Sequence, residues 1–355
     1  MIITQIQLSD FRNYQTLTLA PAPGINLLAG KNAQGKTNLL EAVYLCCVGK
    51  SLRGKDKELI RAGRPGAHVV VTVQKTYAAT DLAVTVPEND RKKITVDGIP
   101  LLKIGELMGC LNAVFFAPDE LKLIKDAPQL RRRFMDIDIS QTDKRYFYAL
   151  LNYNDILLKR NNVLKSGNKQ LHGLLDVYDE QLARYGGLIL QKRKTFIAAL
   201  AAPAAAVHKR LTETETLHVA YRSSCAGDDP AAALLKALNA AREKDLNLGY
   251  TTAGPHRDDL EILCDGLDVR VYGSQGQQRT CALSLKLAEL SHFTELTGEK
   301  PLLLLDDVFS ELDAGRRARL LECCEGYQTF ISATDVPEGG RITVYNVSAG
   351  SIERK

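Results

Sequence analysis

Residues 29–37 read AGKNAQGKT, and this stretch decides the fold class. Gly30 and Gly35 flank four residues and are followed by Lys36 and Thr37, the G-x-x-x-x-G-K-[ST] pattern of a phosphate-binding loop. Glycines let successive backbone N–H groups converge on an anion, and the helix that follows turns its positive dipole end toward the same phosphates. Gly30, Lys31, Asn32, Ala33, Gln34 and Gly35 would form the cradle. Lys36 would reach the β- and γ-phosphates, and Thr37 would ligate Mg²⁺. The context fits the motif: GINLLA (24–29) suits a buried strand, and TNLLEAVYLCCVG (37–49) suits a helix that stops at Gly49.

The other half of such a site is visible near the C-terminus. PLLLLDDVF (301–309) is an apolar run, suited to a strand buried on both faces, that ends in two carboxylates. Asp306 is expected to hold Mg²⁺ and Asp307 to orient or deprotonate the attacking water. Lys36 and Asp307 are therefore the catalytic candidates. Upstream, SQGQQRTCALSLKLAEL (274–290) opens with a capping serine and runs into a helix, another place where an anion can sit.

Between these halves the sequence changes period. Up to about residue 119 it is β-rich, with alternation in IITQIQL, HVVVTVQKT (68–76) and DLAVTVPE (81–88), and an Asp97-Gly98 hairpin signal. From 120 to 247 it reads as helical. Tyr146, Leu150, Tyr153, Leu157 and Leu164 share one face, as do Leu175, Tyr178, Leu182, Tyr185 and Ile189. The polar segment SGNKQLHG separates them, which suggests an antiparallel arm of two long helices. After 248, strand signals return in DDLEILCDG, VRVYG and PLLLL. The expected organisation is a head, residues 1–119 and 248–355, with an inserted helical arm at 120–247.

The 355 residues carry a net charge of +4. Residues 121–210 alone hold 17 Lys+Arg against 8 Asp+Glu, a net of +9 that leaves −5 for the rest. Such asymmetry points to an anionic partner for the middle of the chain. Arg131, Arg132, Arg133, Lys192, Arg193 and Lys194 are candidate contacts, with solvated faces or local ion pairs as the alternative for each. The eight cysteines lack C-x-x-C spacing and read as reduced thiols of a cytosolic protein. MIITQIQLSDF has no leader pattern and no segment is long and apolar enough to span a membrane, so a soluble, cytoplasmic protein is expected.

FRNY (11–14), GKNAQGKTNLLEA, FFAPDELKLIKDAPQLRRRFMD, AGPHRDDL, GSQGQQRT and LLLLDDVFSELD occur in the order and spacing of the RecF family of bacterial recombination mediators. That family belongs to the SMC-like branch of the ATP-binding-cassette (ABC) ATPases. The resemblance covers nearly the whole chain, and RRRFMD and GPHRDDL are its most specific parts. It implies an α/β fold: an ABC-type head, with a mixed sheet and an antiparallel β subdomain, carrying a helical arm. It further implies an ATP-dependent homodimer in which Ser274, Gly276 and Gln277 of one subunit contact the nucleotide of the other, with SELD (310–313) as the D-loop. A DNA-binding ATPase of gap repair and replication follows from it. Such a protein acts with RecO and RecR to load RecA, supports the SOS response, and has weak, DNA-stimulated ATP turnover that serves as a switch.

SQGQQ in place of LSGGQ, Asp307 in place of glutamate, and Thr334 where a switch histidine would stand all suggest slow hydrolysis. An ATPase that couples to a protein partner without touching DNA is the alternative. For Arg12, nucleotide contact and a simple salt bridge both fit. For His256 and Arg257, nucleotide sensing, interface bracing and a surface turn held by Arg–Asp pairs all fit.

Overall fold

A computed structural model describes residues 1–225, 227–336 and 341–355. The chain forms two compact units. Unit 1 comprises Met1–Glu120, Ala206–Thr214 and Ala282–Lys355; unit 2 comprises Leu121–Ala205 and Glu215–Cys281.

In chain order the first segment of unit 1 supplies β1 (Ile2–Phe11), β2 (Tyr14–Leu19), β3 (Ile25–Ala29), α1 (Lys36–Val48), β4 (Gly66–Gln74), β5 (Ala79–Pro87), β6 (Lys93–Val96), β7 (Ile99–Pro100) and β8 (Ala113–Phe116). Then come the short α2 (Lys122–Lys125), α3 (Pro128–Thr142), α4 (Lys144–Ser166) and α5 (Gly173–Thr212). They are followed by β9 (Leu217–Arg222), α6 (Pro230–Leu248), β10 (Asp259–Cys264), β11 (Leu267–Asp268), α7 (Val269–Tyr272) and α8 (Gln275–Thr297). The chain ends with β12 (Leu302–Asp306), α9 (Ala314–Cys323), β13 (Thr329–Ala333), β14 (Ile342–Ser348) and β15 (Ser351–Arg354).

Unit 1 holds two six-stranded sheets. One has the order β2-β1-β4-β5-β6-β7 and is antiparallel throughout. The other has the order β15-β14-β3-β13-β12-β8; its four pairings from β14 to β8 are parallel, and β15 pairs antiparallel with β14. Every residue of β8, β12 and β13 is buried, as expected of strands covered on both faces. Helix α1 lies against β12 and β13 of the mixed sheet and against β4 and β5 of the antiparallel one. That placement explains why it is apolar nearly all round instead of amphipathic. Asp97 and Gly98 take positive φ of 51° and 77°, the two-residue turn geometry that joins β6 to β7.

In unit 2, α3 to α6 carry a core in which Tyr146, Tyr153, Leu164, Leu175, Leu182 and Ile189 are buried, with Leu150, Leu157, Tyr178 and Tyr185 half-buried beside them. Gly187 lets α6 approach α5 closely, since a Cβ there would lie 2.8 Å from the Ala231 backbone. Three expectations differ from what is found. The segment LHVAYR, inside the stretch read as helical, is strand β9, paired antiparallel with β10. VRVYG, read as a strand, is the single helical turn α7, because the Asp268 side chain accepts the Arg270 N–H and starts it. The two arm helices are unequal, 23 residues in α4 and 40 in α5. Among the described residues, no helix is long and apolar enough to cross a membrane.

Candidate phosphate-binding site

The loop at residues 30–35 leaves the C-terminal end of β3 and enters α1, the strand–loop–helix order that places anions at a helix start. Gly35 is the N-cap of α1 with φ 117°, and Ala33 also has positive φ, 63°. Gly35 is required sterically as well: a Cβ there would lie 2.7 Å from Asn13 Nδ2 and 3.0 Å from the Tyr14 hydroxyl. The Lys36 ammonium is folded onto the loop and donates to the Gly30 and Lys31 carbonyls, the latter at 2.9 Å. Burial lowers its pKa, against the opposing pull of Asp307 and Asp306. Lys31, Asn32 and Ala33 are exposed.

Asp306 closes β12 beside this loop and is 8% exposed. Its Oδ1 accepts from the Thr37 hydroxyl at 2.7 Å and from Ser332 Oγ on β13. Residues 269 positions apart thus present a hydroxyl and a carboxylate side by side. Both are hard oxygen donors of the kind Mg²⁺ prefers. Asp307 sits in the left-handed region, φ 48°, and its N–H donates to Ser332 Oγ at 2.9 Å. Two residues of this site escaped the sequence reading. Ser332 orients both acids, and Arg53 places Nη2 3.9 Å from Asp306 Oδ2. The signal for Arg53 was a lone arginine in the polar, glycine-bearing loop directly after the phosphate-loop helix.

The FRNY segment braces the loop from outside. Asn13 Nδ2 donates to the Gln34 carbonyl at 2.8 Å and the Tyr14 hydroxyl to the Gly35 carbonyl at 2.9 Å. Of the two possibilities for Arg12, the salt bridge is what forms: Nε and Nη2 grip both oxygens of buried Glu41 on α1, at 3.0 and 3.1 Å. Arg12 also donates to the Glu58 and Arg53 carbonyls, so it secures the loop that carries Arg53.

In unit 2, Ser274 caps α8 reciprocally: its Oγ accepts the Gln277 N–H while Gln277 Oε1 accepts the Ser274 N–H. Gln277 Nε2 also donates to Glu215, and Ser274 is exposed. The six basic candidates divide. Arg131, 3% exposed, pairs with Asp259 and donates to the carbonyls of Leu123 and Asp126. Arg193, 2% exposed, grips Asp136 with Nε and Nη2 and donates to the Pro255 carbonyl at 2.7 Å. Those two guanidiniums are engaged inside the unit and cannot meet a phosphate, which corrects the sequence expectation. Arg132 is half-buried on the Asp258 carbonyl, and Lys192 bridges to Asp143 at 2.7 Å. Arg133 and Lys194 are exposed.

RRRFMD and GPHRDDL, far apart in sequence, therefore meet. Asp258 is fully buried and accepts from the Tyr221 hydroxyl and the Ser224 N–H, with Arg193 Nη1 at 3.5 Å. His256 Nε2–H donates to the Thr251 carbonyl and Nδ1 accepts from the Tyr153 hydroxyl at 2.8 Å, which fixes the neutral tautomer. Burial pushes its pKa down to about 4. Arg257 stacks on Tyr250, 5.0 Å from the ring centroid. His256 is thus a half-buried brace, and the Arg–Asp pairs around this turn come from Arg131 and Arg193 rather than Arg257.

A family model for the RecF/RecN/SMC N-terminal domain matches residues 2–334. The DNA replication and repair protein RecF of Lachnoclostridium phytofermentans is 43% identical over the full length of both chains, and that of Alkaliphilus oremlandii is 44% identical over 94% of this chain and 93% of its own. The solved structure of the recombination mediator protein RecF with ATP superposes with a TM-score of 0.92 at 36% identity, covering 100% of this chain and 97% of its own. The Smc head domain from Pyrococcus furiosus shares the fold alone, with a TM-score of 0.60 at 16% identity over 100% of this chain and 96% of its own. With an ABC-type ATPase head, mixed sheet beside antiparallel sheet, and relatives of this identity along its entire length, the chain belongs to the RecF family.

Proposed function

We propose that this protein is an ATP-dependent DNA-binding protein of recombinational gap repair and replication, which helps load RecA and supports the SOS response. The observation that carries the ATP part is the 2.7 Å contact between Thr37 of the phosphate loop and Asp306 of β12, which assembles both halves of a nucleotide site from opposite ends of the chain. Thr37 and Asp306 would hold Mg²⁺, which on binding neutralises phosphate charge. Lys36 holds the β- and γ-phosphates, the N–H groups of 30–35 cradle them, and Asp307 positions water. Arg53 supplies a second cation at the γ-phosphate end. Ser274, Gly276 and Gln277 act on the nucleotide of a second subunit, so that ATP closes a homodimer and slow hydrolysis releases it.

The head at 1–119 and 248–355 does the ATP chemistry, and the arm at 120–247 carries DNA contacts, with Arg133 and Lys194 leading because they are free of the buried network. RecR and RecO are the protein partners in this reading. The test is anisotropy of fluorescent gapped DNA with and without ATP, for the native chain and Lys36→Met, with oligomeric state followed in parallel. Tight binding only by the ATP-bound native dimer supports the clamp. ATP-driven dimers that ignore DNA support coupling to a protein partner instead, a reading that the burial of Arg131 and Arg193 keeps open.

A further inference from the structure

The loop that would cradle phosphates touches a third element besides β3 and α1. Strand β14 pairs in parallel with β3, with Asn346 opposite Ala29, so the hairpin β14–β15 emerges directly beside the loop. At the start of the loop, a Cβ on Gly30 would lie 2.3 Å from the Val347 carbonyl oxygen. At its far side, the turn of the hairpin reaches Gln34 twice. The Ala349 N–H donates to Gln34 Oε1 at 2.7 Å and the Gly350 N–H to the Gln34 carbonyl at 3.2 Å. Both turn residues have positive φ, 46° and 80°. A Cβ on Gly350 would fall 2.6 Å from the Asn13 carbonyl oxygen, so only glycine lets the turn come this close.

The Gln34 carbonyl therefore has two donors outside the loop, Asn13 Nδ2 and Gly350 N–H. A trans peptide is planar, and its C=O and N–H point in opposite directions. The N–H on the other side of that same peptide unit belongs to Gly35. Holding the Gln34 carbonyl outward aims the Gly35 N–H inward, toward the start of α1, where an anion is bound. A peptide that can rotate costs orientation entropy on binding; one that is already aimed does not.

We propose that the Ala349–Gly350 turn of the C-terminal hairpin is a working part of the nucleotide site: it positions the Gln34–Gly35 peptide so that its N–H meets the phosphates of a nucleoside di- or triphosphate. This rests on the phosphate-loop reading of residues 30–37 and adds to it a positioning element about 315 residues away in sequence. The hairpin does not touch the reacting atoms. Its contribution is made equally in the ground state and the transition state, so it belongs to affinity and not to turnover.

The test uses the full chain and calorimetric titration with Mg-ATP and Mg-ADP. Gln34→Met removes the acceptor for Ala349 while keeping the side chain's length, and Gly350→Ala pushes the turn off Asn13. Each is expected to raise the Kd of both nucleotides about tenfold, the size of one well-aimed hydrogen bond. KM for ATP rises with kcat preserved. Glu353→Ala, exposed on the same hairpin, binds as the native chain does. The melting temperature without nucleotide is recorded for each; should Gly350→Ala melt early because of its positive φ, Gln34→Met decides. Native-like Kd in Gln34→Met overturns the inference while ATP binding by the native chain stands. Failure of the native chain to bind either nucleotide overturns the phosphate-loop reading and the inference with it.

Discussion

Replacing Arg193 with glutamine separates a buried brace from a DNA contact. In the fold its guanidinium faces Asp136, which is 19% exposed, and Asp258, which is fully buried, and it also supplies the Pro255 carbonyl. Removing one partner of a buried ion pair costs about 3–5 kcal/mol, because the stranded charge stays desolvated. The lower end applies here. Asp258 keeps the Tyr221 hydroxyl and the Ser224 N–H, and Asp136 keeps the Tyr146 hydroxyl and some water. A loss of about 3 kcal/mol lowers the melting temperature of a unit of about 150 residues by roughly 6–12 °C. Urea unfolding and calorimetry measure it, with Lys194→Gln as the exposed neighbour expected to stay within about 0.5 kcal/mol. Adding Asp136→Asn to Arg193→Gln should recover part of the loss, since the second change removes a stranded charge. If Arg193→Gln unfolds like the native chain while its DNA affinity falls, the structural reading of the network is refuted.

Asp306→Asn should retain nucleotide but lose ATP turnover about a hundredfold, since a carboxylate that would hold the metal is gone; phosphate release assays check it. His256 sets an acid limit on stability. Its folded pKa of about 4 lies below the ordinary 6.5, so between these values the unfolded chain binds the proton and the folded one does not. Stability is therefore intact above about pH 6.5 and declines as pH falls toward about 4, by up to about 3 kcal/mol, and His256→Gln should flatten that limb in urea titrations across pH. For DNA, Arg133→Gln and Lys194→Gln should each shallow the salt dependence of binding by about one unit of slope without moving the melting temperature, as phosphate contacts do.

What was legible in the sequence was what is contiguous in it. The phosphate loop, the helix behind it and the all-buried strand ending in Asp306 are each written in fewer than fifteen consecutive residues, and each folds where the pattern puts it. Short apolar runs outside such motifs were ambiguous. VRVYG carries the side chains of a strand, but an aspartate one residue earlier starts a helical turn, and LHVAYR was hidden by the helices on either side. Periodicity alone does not decide segments of that length.

Two of the six basic candidates, Arg131 and Arg193, are buried for a more instructive reason. Counting charge over 121–210 gave +9, but the count ends before Asp245, Asp258 and Asp259. In the fold those three aspartates answer arginines that the count includes: Arg160 pairs with Asp179 and Asp245 with no side chain exposed, Arg193 meets Asp258, and Arg131 meets Asp259. A desolvated arginine needs acceptors on several sides at once, and one stretch of helix offers them on only one. Its partners therefore come from elsewhere in the chain, 128 residues away for Arg131 and 65 for Arg193. An excess of arginine in one segment, answered by aspartate in another, marks where two segments pack as readily as it marks a surface for an anion. The discriminating sign is burial with several acceptors: Arg131, Arg160 and Arg193 fill the buried positions, while Arg133 and Lys194 stay exposed. A DNA surface on this chain is thus best sought first at exposed basic residues outside the buried network, Arg133 and Lys194.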